Sequence, residues 1–205
     1  MTYWPEFLAI ASVFLLGAMS PGPDFVAVTS HALADRRSGL TVALGVTVAI
    51  LVWAALAMFG LGAIVARNLW LYTTVRVAGA LYLIYLGIRI LLSVRRTAPA
   101  EATRPAGGGA RAALRTGFLV GITNPKTAAF FGSLFITVLP LAAPFWVQAV
   151  TLVIIGSLAI GWFGLVALVF STGRARAAYA KLRRAIDALL GGLLVALGLR
   201  LVLTP

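Results

Sequence analysis

Ser20-Pro21-Gly22-Pro23-Asp24 interrupts the first of six long apolar stretches in this chain, and Thr123-Asn124-Pro125-Lys126 interrupts the fourth. Each sets a proline beside a residue that caps helices, inside a run long enough to cross a bilayer. Lipid offers backbone N–H and C=O groups no partner, so a broken helix belongs where protein or a water-filled cavity surrounds it. Length arithmetic makes the first interruption a break within one span, not a loop between two. Phe7 to Met19 is 13 residues and Phe25 to Ala34 is ten, whereas a span needs about 20. The second break divides its stretch in the same way.

The composition around these breaks is that of a membrane protein. Of 205 residues, 61% are hydrophobic and 11% charged, and the mean hydropathy is +1.03, outside the range of soluble domains. Spans are expected at roughly 6–33, 39–65, 69–92, 112–139, 146–170 and 185–203. Little remains outside them, so the chain reads as a single all-α transmembrane domain over 1–205 with no room for a soluble catalytic unit. The first stretch does not read as a signal peptide. Glu6 is its only charge before Asp24, and Pro21 follows the one small-residue cleavage candidate, Ala18-Met19-Ser20.

The net charge of +12 does not imply nucleic acid, because the basic residues are segregated. Twelve of 17 fall in three connections, at Arg36 and Arg37, from Arg95 to Arg115, and from Arg174 to Arg184. The other side carries Arg67, Arg76 and Arg200. By the positive-inside rule, the basic connections lie in the cytoplasm and both termini outside. Trp4, Trp70 and Trp146 then fall at the outer boundary, as interfacial anchors do. Thr97 to Ala110, rich in Pro, Ala and Gly, reads as a cytoplasmic linker. Gly107-Gly108-Gly109 lacks the Lys-Ser/Thr and the preceding strand of a phosphate loop.

The linker, about 94–111, separates two parts that repeat. Phe14-Leu15-Leu16-Gly17 precedes the first break and Phe118-Leu119-Val120-Gly121 the second, an offset of 104 that also aligns Phe59-Gly60-Leu61 with Phe163-Gly164-Leu165. Leu86-Gly87-Ile88-Arg89 and Leu197-Gly198-Leu199-Arg200 end the third and sixth spans. Three spans per part, about 6–93 and 112–203, make the second part enter from the opposite side. This is a 3+3 inverted-topology repeat with helices 1 and 4 interrupted.

Ser20 and Asn124 are good N-cap residues, and Pro21 and Pro125 suit the first helical position. Each break is therefore expected to present a half-helix N-terminus, whose N–H groups attract an anion such as a carboxylate. Paired breaks in corresponding places point to a central substrate site; a kink without function is the plainer alternative, since proline is common in membrane helices. Asp24 and Lys126 read as the only ionisable residues deep in the membrane, where each costs at least about 2.5–3.5 kcal/mol. They suit either a structural salt bridge or the two charges of a zwitterion, with Asp24 also the candidate proton carrier.

Thr41, Thr47, Ser157, Trp53 and Trp162 are weaker cavity candidates, since Ser and Thr often bond their own helix. Ser157 and Gly161 are expected to form a close helix–helix contact. His31 and Asp35 read as surface residues rather than a proton relay. No cofactor or metal is expected. The chain has no Cys, a single His and no carboxylate pair at depth, too few groups for an intramembrane enzyme.

Ser20-Pro21-Gly22-Pro23-Asp24, Gly79-Ala80-Leu81-Tyr82-Leu83 with Leu86-Gly87, and Asn124-Pro125-Lys126 resemble the LysE/RhtB family of bacterial amino-acid exporters. The likeness covers essentially the whole chain. Met19 to Phe25, Val52-Trp53-Ala54, Phe131-Gly132-Ser133 and Tyr179 to Asp187 place it near the threonine-efflux branch. Leu139 to Ala143 departs from the Pro-Gln-Phe of many relatives. The resemblance implies an inner-membrane carrier exporting neutral amino acids such as threonine or homoserine, driven by protons. The two breaks, read on their own residues, place the expected substrate contacts at Ser20, Pro21, Gly22, Pro23, Asp24, Thr123, Asn124, Pro125 and Lys126. An exporter of basic amino acids or a cation is the alternative on the same fold, though such substrates favour more embedded carboxylates than Asp24. A homo-oligomer is compatible with the sequence.

Overall fold

The computed structural model describes residues 3–67, 69–93, 109–138, 143–170 and 173–203. The greater part of the linker, and Leu139 to Ala142 of the departing segment, lie outside them. Eight helices follow one another among the described residues: α1 (Trp4–Met19), α2 (Pro23–Ala34), α3 (Arg36–Arg67), α4 (Leu69–Ser93), α5 (Ala110–Thr123), α6 (Pro125–Val138), α7 (Phe145–Val169) and α8 (Gly173–Leu203).

The two proline breaks account for eight helices where six stretches were expected. Proline supplies no N–H and disfavours helical geometry in the residue before it, so a helix stops there and a new one starts. The first expected span is α1 plus α2, bent by 57°, and the fourth is α5 plus α6. Arg36–Gly60, Phe145–Val169 and Arg184–Leu203 are each long and apolar enough to cross a membrane, and α1 with α2 adds a fourth span if counted as one.

Two expectations are corrected. The N-cap of α2 is Gly22, with Pro23 at the first position, while Ser20 closes α1 as its C-cap. Either proline suits a first turn, but starting at Pro23 puts the Asp24 carboxylate in that turn, at the positive end of the helix. The sixth span lies where it was expected, at Arg184–Leu203, and its helix starts earlier, at Gly173, because Ala, Arg and Lys continue a helix past the apolar run. Ser157 and Gly161 do not meet another helix: Ser157 is exposed, and a Cβ at Gly161 would find nothing within 4 Å.

α3 packs along α5 and α7, and α4 along α8, with α2 and the ends of α1 and α6 filling the middle. Val28, Val42, Val46, Val147, Ile155, Val166 and Leu190 are completely buried there. Leu8, Leu56, Leu81, Val153 and Leu189 are exposed on the outside, the pattern of a surface that faces hydrocarbon. Between membrane helices close packing, not water exclusion, supplies the association energy. The α3–α5 contact shows how: a Cβ added at Gly117 would collide with Val42 O, and one at Gly45 with Leu114 O.

Gly117→Ala should therefore force α5 away from α3. The thermal unfolding temperature of the detergent-solubilised protein is expected to fall by several degrees, whereas Gly161→Ala, in open space, leaves it unchanged.

Candidate functional site

Both breaks converge at the centre of the helix bundle. Ser20 ends α1 with its N–H on Leu16 O (3.1 Å), and Gly22 opens α2 in extended conformation with no side-chain cap. At the second break one residue does both tasks. Asn124 ends α5, and its Oδ1 accepts the Lys126 N–H (3.0 Å), capping α6. Its Nδ2 donates to Asp24 Oδ2 (2.8 Å), so a single amide ties the two interruptions together.

Asp24 also receives the Thr127 hydroxyl on Oδ2 (3.0 Å). Its other oxygen, Oδ1, is buried with no hydrogen-bond partner. Asp24 and Lys126 do not form the salt bridge that was one expectation. The Lys126 ammonium instead donates to Gly17 O (3.2 Å) and Ser20 O (3.0 Å) at the C-terminal end of α1. A cation is favoured at that negative end and an anion at the first turn of α2, so each charge is held by a helix end.

The carbonyls released by the breaks find further donors in two indoles. Trp162 Nε1 on α7 donates to Ala18 O (3.0 Å), and Trp53 Nε1 on α3 donates to Ile122 O (3.2 Å). Ala18 and Ile122 stand 104 apart, the offset of the sequence repeat. Each indole thus serves the break belonging to the other part of the chain.

A cavity of about 40 Å³ is lined by Ser20, Gly22, Asp24, Asn124, Lys126 and Thr127, and for most of the rest by phenylalanines. The other expected residues stand around it. Pro21 is half-buried, and Pro23 and Pro125 are exposed; Trp53 and Trp162 bond the breaks from behind. Thr123, Thr47 and Thr41 turn their hydroxyls to Leu119 O, Ala43 O and Arg37 O of their own helices.

Sequence reasoning missed three residues here. Thr127 follows Asn124 by three positions, which places both on one helix face. Asp187 on α8 is buried and accepts the Ser20 hydroxyl (2.8 Å), so Asp24 and Lys126 are not the only embedded charges. Asp187 lay inside the expected sixth span and was countable there. His31, read as a surface residue, is also buried, and its Nδ1–H donates to Ala27 O (2.9 Å).

A bundle of apolar helices in which the buried Asp24 and Asp187 and the half-buried Lys126 gather around two broken helices is the framework of a membrane carrier. Residues 15–204 match the family described as LysE type translocator, and the chain belongs to that family. It is 34% identical to the threonine efflux protein of Escherichia coli (strain K12), over 97% of this chain and 98% of that protein. It is 33% identical to the threonine efflux protein of Salmonella typhi over the same shares. It is 28% identical to the leucine efflux protein of Salmonella choleraesuis, over 76% of this chain and 74% of that one. No solved structure matches it. The protein is a transporter and not an enzyme.

Removing an indole N–H while keeping an aromatic ring isolates the carbonyl bonds. Trp162→Phe and Trp53→Phe are each expected to cost about 1–3 kcal/mol, the penalty of a buried carbonyl left without a donor. Unfolding of the purified protein in mixed detergent micelles measures it.

Proposed function

We propose that this chain is a secondary carrier that exports small neutral amino acids, threonine or homoserine among them, across the bacterial inner membrane by proton antiport. The observation that carries the reading is Asp24 Oδ1, a buried carboxylate oxygen without a partner in a residue lining the cavity, with the Lys126 ammonium across the same space. An α-ammonium satisfies the oxygen. An α-carboxylate satisfies Lys126 and the uncapped start of α2 at Gly22. The threonine and leucine efflux proteins among its relatives support an amino-acid substrate.

The six stretches form two inverted parts, about 6–93 and 112–203, with both termini outside and the basic connections in the cytoplasm. The reciprocal indole bonds support this pairing, as does the packing of α3 on α7 and α4 on α8, the pairs that a two-fold axis maps onto themselves. The cavity has room for about three water molecules, so an amino acid enters only when the half-helices part. The two parts rock about the fixed centre and open it to one side at a time. In the loaded state Lys126 exchanges the α1 carbonyls for the substrate carboxylate. A proton arriving at Asp24 from outside displaces the ammonium and favours release.

Asp187 is the one observation that favours the alternative of a basic substrate, since it adds a second buried carboxylate. It does not line the cavity, however, and the Ser20 hydroxyl occupies one of its oxygens.

Counterflow of labelled threonine in proteoliposomes tests the reading. Asp24→Asn keeps an oxygen for Asn124 and Thr127 but turns an NH2 toward the ammonium. The fold is expected to survive while substrate affinity falls about 30-fold or more. Asp24→Asn protein that still drives export against a gradient at normal stoichiometry would exclude Asp24 as the proton carrier. Gly22→Ala fits the extended backbone, with its Cβ 3.5 Å from Lys126 Cδ and 3.7 Å from Nζ. It should leave stability intact and weaken substrate binding about tenfold, read as the concentration for half-maximal counterflow.

A further inference from the structure

The polar groups that line the cavity are nearly all engaged. The Ser20 hydroxyl donates to Asp187 and the Thr127 hydroxyl to Asp24. Asn124 spends its amide nitrogen on Asp24 and its oxygen on the Lys126 N–H. Gly17 O takes Lys126 and Ala18 O takes Trp162. What stays open is Asp24 Oδ1 and the start of α2 beside the Lys126 ammonium, and the two charged groups of an amino acid consume both.

The rest of the lining is apolar: Phe14, Phe25, Ile50, Phe130, Phe131 and Phe163, all nine-tenths or more buried. Three of these rings brace one another. Phe14 lies 6.0 Å from Phe131 and 6.5 Å from Phe130 between centroids, and Phe130 meets Phe131 edge-on at 5.3 Å. Phe25 is fixed edge-on against Phe170 at 5.3 Å. A substrate side chain beyond the charged groups therefore meets a wall of braced aromatic rings. A hydroxyl there loses its water and meets no free donor or acceptor.

We infer that this wall is a side-chain subsite that selects apolar neutral amino acids, of the valine, norvaline and leucine kind, over hydroxylated ones of the same shape, so that threonine and homoserine are carried but are the weaker substrates. The inference rests on the proposed amino-acid site and adds the chemistry of its second half. Valine and threonine differ by a methyl in place of a hydroxyl, and norvaline and homoserine differ in the same way. Each pair compares chemistry at constant size, and an apolar pocket separates such isosteres by about ten- to hundredfold.

The test is counterflow into proteoliposomes of the full chain preloaded with valine, challenged in turn with the four unlabelled amino acids. The expected result is that valine and norvaline compete about tenfold or more better than threonine and homoserine. Equal competition, or better competition by the hydroxylated pair, overturns the inference and leaves the neutral amino-acid carrier standing. Counterflow with none of the four, in vesicles preloaded with either isostere, overturns the carrier reading itself and the subsite with it.

Ile50→Thr, compared with the isosteric Ile50→Val, sets a hydroxyl into the wall, and the hydroxyl can fold back on the carbonyl one turn earlier. It should narrow the valine-to-threonine ratio severalfold. An unchanged ratio with normal valine flux would remove the wall from the substrate's path.

Discussion

A helix that breaks inside hydrocarbon releases carbonyls that only the protein can satisfy, and the centre of this molecule is organised by that demand. The last carbonyls of α1 take the Ser20 N–H, the Lys126 ammonium and the Trp162 indole. The end of α5 takes the Asn124 N–H on Gly121 O and the Trp53 indole on Ile122 O. None of the side-chain donors belongs to the helix it serves. The breaks hold only if α3, α6 and α7 are in place around them, so the same bonds that make the interruptions tolerable also assemble the bundle.

The electrostatics follow from the same ends. A lysine and an aspartate this close in a low-dielectric interior are ordinarily expected to pair, since separation leaves two costly charges. Here each faces a helix terminus of opposite sign, and Lys126 also lies in the field of both Asp24 and Asp187. Helix ends are neutral overall and cannot transfer a proton to their guest, so they hold the charges apart without annulling them. On the proposed reading, a zwitterion arriving between the two finds both signs already displayed.

The breaks and their chemistry were legible because proline, glycine and asparagine act locally, through dihedrals and caps that neighbouring residues determine. The apolar runs were legible for the same reason, to within a few residues at α3, α4 and α7. What lay beyond reach was long-range. No spacing rule says that Trp53 reaches Ile122, or that Ser20 reaches Asp187 on the last helix, because those partners are set by tertiary packing. The misplaced N-cap shows the limit within a single motif. Ser20-Pro21 and Gly22-Pro23 are both plausible helix starts, and the choice turns on where Asp24 and Asn124 meet. His31 was misjudged because its position near the end of a span says nothing about which neighbours cover it.

The bonds to α1 differ in what can replace them. The Trp162 indole is fixed by packing on a long helix, and nothing else in the cavity can take its place on Ala18 O. Lys126 is different, because its flexible stem lies along Gly22, where no side chain confines it, and a carboxylate entering at the start of α2 competes for the same ammonium. On the proposed reading, binding loosens one of the bonds that close α1 while leaving the others intact. A ligand shifts a conformational equilibrium only through contacts that differ between the two states. On that reading the Lys126 ammonium, shared between the end of α1 and the substrate, supplies such a contact.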